Sequence, residues 1–169
     1  ITNLKPIGLN WGFTAGIAAA GVSIMSLFNG AGRVAWGYLA HRFGEHKVIT
    51  ISLLAQAGVL VLSMFFVKQP ILYFVFTAFA GFNYGALLVV YACSISRIFG
   101  VERLGRVYSV LYLSNGLAGF IAPVFGGWVF DKTGGYNAAI GVCAALCLAG
   151  YFAYRLLYSE KDCISAAAL

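Results

Sequence analysis

The chain has 169 residues, of which 62% are hydrophobic and only 9% charged, with a formal net charge of +6. Soluble domains carry about 25% charged residues, so this sequence has too little polar surface to wrap a water-soluble core, and a lipid bilayer is the expected solvent. The lysines and arginines fall in short loops rather than in a basic run interleaved with exposed polar surface, so no nucleic-acid partner is expected.

A hydrocarbon core of about 30 Å needs roughly 20 apolar residues per helix. Five stretches qualify, at about 11–40, 48–67, 71–97, 106–130 and 137–158. The segments between them, HRFGEHK, KQP, RIFGVERLGR and DKTGGY, carry charge, proline or glycine as helix breakers. Open strands leave backbone groups unsatisfied in lipid, and these stretches are too long and too uniformly apolar for barrel strands. The predicted fold class is all-α, a polytopic transmembrane bundle of five helices.

The first span offers Gly12, Gly16 and Ala20 at four-residue intervals, small residues that let helices approach closely in lipid. Its only charge between Ile7 and Ala40 is Arg33, set among Gly30, Gly32 and Gly37. The second and fifth spans are bulky all round, with Gln56 the main polar exception, and read as peripheral helices facing lipid. The third carries Asn83, Tyr84 and Tyr91. The fourth carries Tyr108, Tyr112 and Asn115 at i, i+4 and i+7, followed by SNGLAGFIAPVFGGW. There Gly116, Gly119 and Pro123 loosen the helix, as in transporter helices near substrate sites, although tight packing alone would also account for them.

Counting Lys and Arg by side gives the orientation. One side holds Arg33, Arg42, Lys47, Arg97, Arg103, Arg106, Arg155 and Lys161; the other holds Lys5, Lys68 and Lys132. The first side is therefore expected to be cytoplasmic, and with it the C-terminus. The N-terminus then lies outside on a chain that starts at Ile1, which reads as the C-terminal part of a longer protein whose upstream helices are missing.

Arg33 lies eight residues before His41, on the order of 12 Å from the expected cytoplasmic end. A central arginine costs roughly 2.5–3.5 kcal/mol on insertion scales. It can snorkel to the headgroups, tie to a carbonyl or carboxylate elsewhere in the bundle, or face a watery cavity and bind an anion. Asn29, Arg33 and Gly37 fall at i, i+4 and i+8, so one face pairs donors with a small residue that leaves room. The five spans hold no Asp or Glu until Asp131 at the far end of the fourth. An intramembrane cation without an internal anion invites one from outside, though missing upstream helices could supply a carboxylate. Tyrosine hydroxyls and Asn amides of the third and fourth spans can hydrogen-bond a carboxylate while their bodies stay apolar.

Nothing else in the sequence carries chemistry. Cys93, Cys143, Cys147 and Cys163 form no CxxC pair, and Cys143 and Cys147, which share a helix face, read as small apolar packing residues. His41 and His46 read as solvated loop residues. With no nucleophile, metal cluster or phosphate-cradling loop, the chain is not expected to be an enzyme or to hold a cofactor or metal.

The segment GYLAHRFGEHK (Gly37 to Lys47) resembles the inter-helix motif G-x-L-x-D-R-x-G-R-K of the major facilitator superfamily. Gly37, Leu39, Arg42 and Gly44 match; His41 stands in place of the Asp and Glu45 in place of a basic residue. FNGAGRVAWGYL together with GLAGFIAPVFGGWVFDKTGGY is similar to the branch that contains oxalate:formate antiporters and monocarboxylate porters. The resemblance covers nearly the whole chain, as helices eight to twelve of twelve. It implies that Arg33 is the arginine that holds a carboxylate in the eighth helix. The lysine expected in the eleventh helix of oxalate carriers is replaced by Asn115. One fixed cation neutralises a monocarboxylate, whereas a dianion beside Arg33 alone would keep a net charge in low dielectric. Gly127, Asp131 and Gly134 are spaced like Gly37, His41 and Gly44, as inverted repeats would have it.

The expectation is a secondary active transporter of a small organic anion, a monocarboxylate such as formate, lactate or pyruvate ahead of oxalate, working by alternating access in the plasma membrane. Arg33 would supply the charge, with Asn29, Asn115, Tyr112 and Tyr84 shaping the pocket. The partners are the anion, the bilayer and the upstream half, without which this part is not expected to transport. The alternatives are a non-transporting sensor or degenerate fragment on the same scaffold, or a carrier of another solute.

Overall fold

The computed structural model describes residues 3–66 and 69–157; the side chain of Phe66 and the expected span ends at residues 67 and 158, with Lys68, Lys161 and Cys163, lie outside what is described. All regular structure among the described residues is helical: α1 (Leu4–Asn10), α2 (Ala15–Phe43), α3 (Glu45–Phe66), α4 (Pro70–Phe99), α5 (Val101–Thr133) and α6 (Asn137–Leu157). Five of these, α2 to α6, are long and apolar enough to cross a membrane. α1 is a seven-residue helix that precedes them, and the sequence reading placed no helix there.

The helices run further than the apolar pattern alone indicates. HRFGEHK and RIFGVERLGR were expected as loops, yet only Gly44 and Gly100 in them are non-helical. Each has a positive φ, 87° and 78°, and a single glycine in that region turns the chain without a Cβ penalty. The charged residues on either side therefore form the ends of helices. At 1.5 Å per residue the 30 residues of α4 span about 45 Å, so its ends project beyond a hydrocarbon core of about 30 Å. Starts are equally local. Thr14 is extended and its Oγ1 accepts from the Ile17 N–H, capping α2, while Pro70 opens α4 where no N–H is needed.

The bundle is built on α2 crossing α4. Gly32 meets the Phe82 carbonyl and Gly81 meets the Met25 carbonyl, so the two backbones touch. Without a hydrophobic drive between helices in lipid, this kind of approach supplies the packing. Trp36 Nε1 donates to the same Phe82 carbonyl at 3.1 Å. Towards the α1 end, Tyr73 is fully buried against Gly8 and Gly21, with its hydroxyl 3.3 Å from the Leu4 carbonyl and 3.2 Å from that of Ala18. Towards the other end, Trp36, Ala40, Val48, Ile49, Ala86 and Val90 form a second apolar cluster. The close approaches on α2 thus use Gly21 and Gly32; Gly12 and Gly16 have open space around them.

α3 and α6 lie together on the outside of α4, in keeping with their bulky, uniformly apolar sequences. They still bury Val48, Ile49, Ala57, Ala139, Ile140 and Ala144. The least covered helix is α5, where only Gly126 and Val129 are buried. Its glycines Gly116 and Gly119 have nothing within 4 Å of a would-be Cβ, so tight packing among the described residues does not account for them.

Candidate functional site

α2 and α4 position the candidate cation. A Cβ on Gly85 would stand 2.7 Å from both the Arg33 backbone nitrogen and the Asn29 carbonyl oxygen. The segment of α2 that carries Asn29 and Arg33 is therefore pressed onto α4 at the turn containing Tyr84. Gly37, one turn further on, faces Val89: a Cβ there would stand 3.1 Å from the Val89 Cγ1. Arg33 itself is exposed, ten residues before the end of α2 and so about 15 Å along the helix from its charged end. It makes no hydrogen bond or ion pair with any described residue. The only salt bridge among those residues joins Arg97 to Glu45 at 2.8 Å, at the helix ends.

Asn29 is half-buried, and its Oδ1 is fully shielded with no hydrogen-bond partner. A buried unpartnered amide is costly, so Asn29 marks the α2–α4 seam as a place where polar groups are held without internal satisfaction. From α5, the Tyr108 hydroxyl donates to the Leu88 carbonyl at 3.0 Å. Tyr112 packs its ring 5.8 Å from that of Tyr108. Tyr108, Ser109, Tyr112, Leu113 and Gly116 line a hollow of about 530 Å³ along α5. Tyr84 and Asn115 are half-buried, on α4 and α5.

Arg33 and Asn29 thus sit where α2 presses on Gly85 of α4, and Tyr108 of α5, with Tyr112 beside it, is tied to α4 at Leu88; Tyr84 and Asn115 lie on α4 and α5. Asn83, read in sequence alongside Tyr84, points elsewhere: it is buried and donates to the Ser52 carbonyl of α3 at 2.9 Å. Adjacent residues on a helix face about 100° apart, and no sequence pattern distinguished the two. The bond from Tyr108 to Leu88 and the contribution of Ser109 were not legible either, because both depend on how α5 sits against α4.

At the loop motif, Arg42 donates to the Tyr38 hydroxyl at 3.3 Å and lies over the Phe43 ring, 5.5 Å from its centroid. Glu45, the residue that departs from the motif, begins α3 and pairs with Arg97 at the end of α4. His46 stacks on Tyr154 of α6 with ring centroids 5.2 Å apart, so it is a packed residue rather than a solvated loop residue. On the opposite side, Pro123 lies inside α5, and Asn3 and Asn10 reach from α1 to the carbonyls of Pro123 and Gly134 at 3.5 and 3.3 Å. No cluster of three or more metal-binding side chains occurs among the described residues.

A family profile described as Major Facilitator Superfamily matches residues 1–163. The chain is 29% identical over 130 residues to the oxalate:formate antiporter of Oxalobacter formigenes, which covers 75% of the chain and 30% of that protein. It is 30% identical over 100 residues to the uncharacterized MFS-type transporter YhjX of Escherichia coli (strain K12), covering 59% of the chain and 25% of that protein. Monocarboxylate transporter 12 of Rattus norvegicus is 25% identical over 143 residues, covering 83% of the chain and 29% of its own length. The chain spans less than a third of the length of these relatives.

Proposed function

The chain belongs to the Major Facilitator Superfamily, and on that premise we propose that it is the C-terminal part of a secondary active transporter for a small organic monoanion. The carrying observation is Arg33: a guanidinium partway along a membrane-spanning helix with no hydrogen bond or ion pair to any described residue. Its desolvation is costly, and a bound carboxylate is the group that offsets it, through the paired hydrogen bonds that arginine and carboxylate form. The oxalate:formate antiporter and the monocarboxylate transporters bear names that point to the same substrate class.

In this reading Asn29, Tyr84, Tyr112 and Asn115 supply the amide and hydroxyl donors that accompany the cation. Asn115 brings no charge, so the site neutralises one carboxylate; formate, lactate or pyruvate fit it better than oxalate. A fixed cation without an internal counter-ion also disfavours reorientation of the empty carrier, since an unpaired guanidinium would have to pass through a dehydrated state. Exchange of one anion for another follows. Gly116, Gly119 and Pro123 give α5 the freedom to bend as the halves rock, and Gly37, Arg42 and Gly44 close the cytoplasmic end of α2. The orientation is that of the positive-inside count, with the C-terminus cytoplasmic and the plasma membrane as the location.

The test is flux in liposomes containing the full-length protein, with labelled formate, lactate, pyruvate and oxalate, each with and without anion on the opposite side. The reading requires saturable uptake of a monoanion, accelerated by trans anion. Binding of the anion without flux would make the protein a sensor, and no interaction with any of the four would remove the small-carboxylate assignment.

A further inference from the structure

We propose that α1 is a strap that holds the last part of α5, from Pro123 to Gly134, against α2 and α4, and that its release lets α5 bend at Pro123. This rests on the reading of the chain as a carrier whose α5 bends, and it names the contact that controls the bend.

α1 is fastened on two sides by different kinds of contact. On the side of α2 and α4 the attachment is apolar and tight. Leu4 is buried in one cluster with Met25 of α2 and with Tyr73, Phe76 and Ala80 of α4. The Tyr73 hydroxyl lies 3.3 Å from the Leu4 carbonyl, and a Cβ on Gly8 would stand 2.9 Å from that hydroxyl oxygen. Just after α1, the Trp11 ring meets those of Tyr73 and Phe76 edge-on, with centroids 6.3 and 5.7 Å apart. On the side of α5 the attachment is polar and thin. Asn3 Nδ2 donates to the Pro123 carbonyl at 3.5 Å, and Asn10 Nδ2 donates to the Gly134 carbonyl at 3.3 Å. The Asn3 amide occupies the place that a Cβ on Gly126 would take, and Gly126 is one of only two buried residues of α5. α1 therefore belongs with α2 and α4, and it grips α5 through two side-chain amides.

α5 is divided where that grip begins. Pro123 has no N–H, so the Gly119 carbonyl one turn earlier lacks its helical partner and the helix is weakened there. Gly116 and Gly119, before the break, have nothing within 4 Å of a would-be Cβ. The part of α5 before Pro123 is tied to α4 by the Tyr108 hydroxyl on the Leu88 carbonyl at 3.0 Å. The part from Pro123 onward is tied to α1 by the two asparagines. Different elements thus hold the two parts across a weak point, and the later part swings when the amides let go. A hydrogen bond of this kind is worth about fivefold in an equilibrium constant, which suits a contact that opens and closes.

The test measures the distance between spin labels at Leu9→Cys on α1 and Lys132→Cys on α5, both exposed positions, in full-length protein with its other cysteines removed, in liposomes without anion. The ratio of long to short distances is expected to rise about fivefold in Asn10→Ala. The same rise is expected in Gly126→Ala, whose Cβ displaces the Asn3 amide, whereas Gly126→Ala adds less than twofold when Asn3 is already Ala. Adding Pro123→Ala to Asn10→Ala is expected to return the distribution to that of wild type. An unchanged distribution in either Asn10→Ala or Gly126→Ala overturns the proposal, even if the melting temperature falls, since α1 is then a brace and nothing more. A long population that survives Pro123→Ala also overturns it, because the bend then lies elsewhere. If the distances shift as expected while the unlabelled protein moves neither formate nor lactate, the carboxylate-carrier reading falls and the strap stands.

Discussion

Gly85 and Arg33 are in backbone contact: a Cβ at Gly85 would lie 2.7 Å from the Arg33 nitrogen. The same glycine that lets α2 and α4 touch therefore fixes where the guanidinium leaves α2. Substituting Gly85 by Val pushes the two helices apart at this point, and overpacking of this kind costs about 1–3 kcal/mol. We expect a lower melting temperature of the full-length protein in detergent and a reduced folded yield. Gly116→Ala, at a position with nothing within 4 Å, is expected to melt like wild type.

Asn83 and Asn29 are expected to separate stability from binding. Asn83→Ala removes a buried hydrogen bond to the Ser52 carbonyl and is expected to cost about 1–3 kcal/mol, read as a lower melting temperature, with the KM for anion unchanged because the side chain faces α3. Asn29→Ala removes an amide whose Oδ1 is already unpartnered. Its effect is expected in KM rather than in melting.

The ion pair between Glu45 and Arg97 is short, 2.8 Å, but the Arg97 side chain is 72% exposed. Such a pair contributes little, so Glu45→Gln is expected to lower stability by less than about 1 kcal/mol. The difference from wild type should shrink as salt is raised. A loss of several degrees in melting temperature that persists in high salt would show that the pair is shielded in the full-length protein.

Asn115→Lys adds a second cation on α5, one turn after Tyr112. Two fixed charges neutralise a dianion, and tenfold in affinity corresponds to about 1.4 kcal/mol. We expect the ratio of oxalate to formate uptake to rise at least about tenfold, measured as competing uptake in liposomes.

How far the sequence reached depends on what kind of interaction placed each residue. Five spans were legible because hydropathy is local, and Arg33 stood out because it is the single charge between Ile7 and Ala40. The helix ends were misread because Gly44 and Gly100 each turn the chain alone, so charged neighbours that look like loop are helix. α1 escaped notice because it is too short for periodicity to show. Contacts between distant segments left no trace in the pattern: Tyr73 against Gly8 and Gly21, Asn83 on Ser52, Tyr108 on Leu88. Of the candidate site, the cation and its face on α2 could be read, whereas the tie of Tyr108 to Leu88 depends on how α5 packs on α4.

The central claim is that Arg33 meets a carboxylate, and the most direct measurement compares wild type, Arg33→Lys and Arg33→Gln in full-length protein, inserted to equal amounts in liposomes, for trans-stimulated uptake of labelled formate and lactate. The account predicts saturable exchange in wild type, a raised KM in Arg33→Lys and no exchange in Arg33→Gln. Undiminished exchange in Arg33→Gln would contradict it and leave Arg33 as a residue that snorkels or ties the bundle.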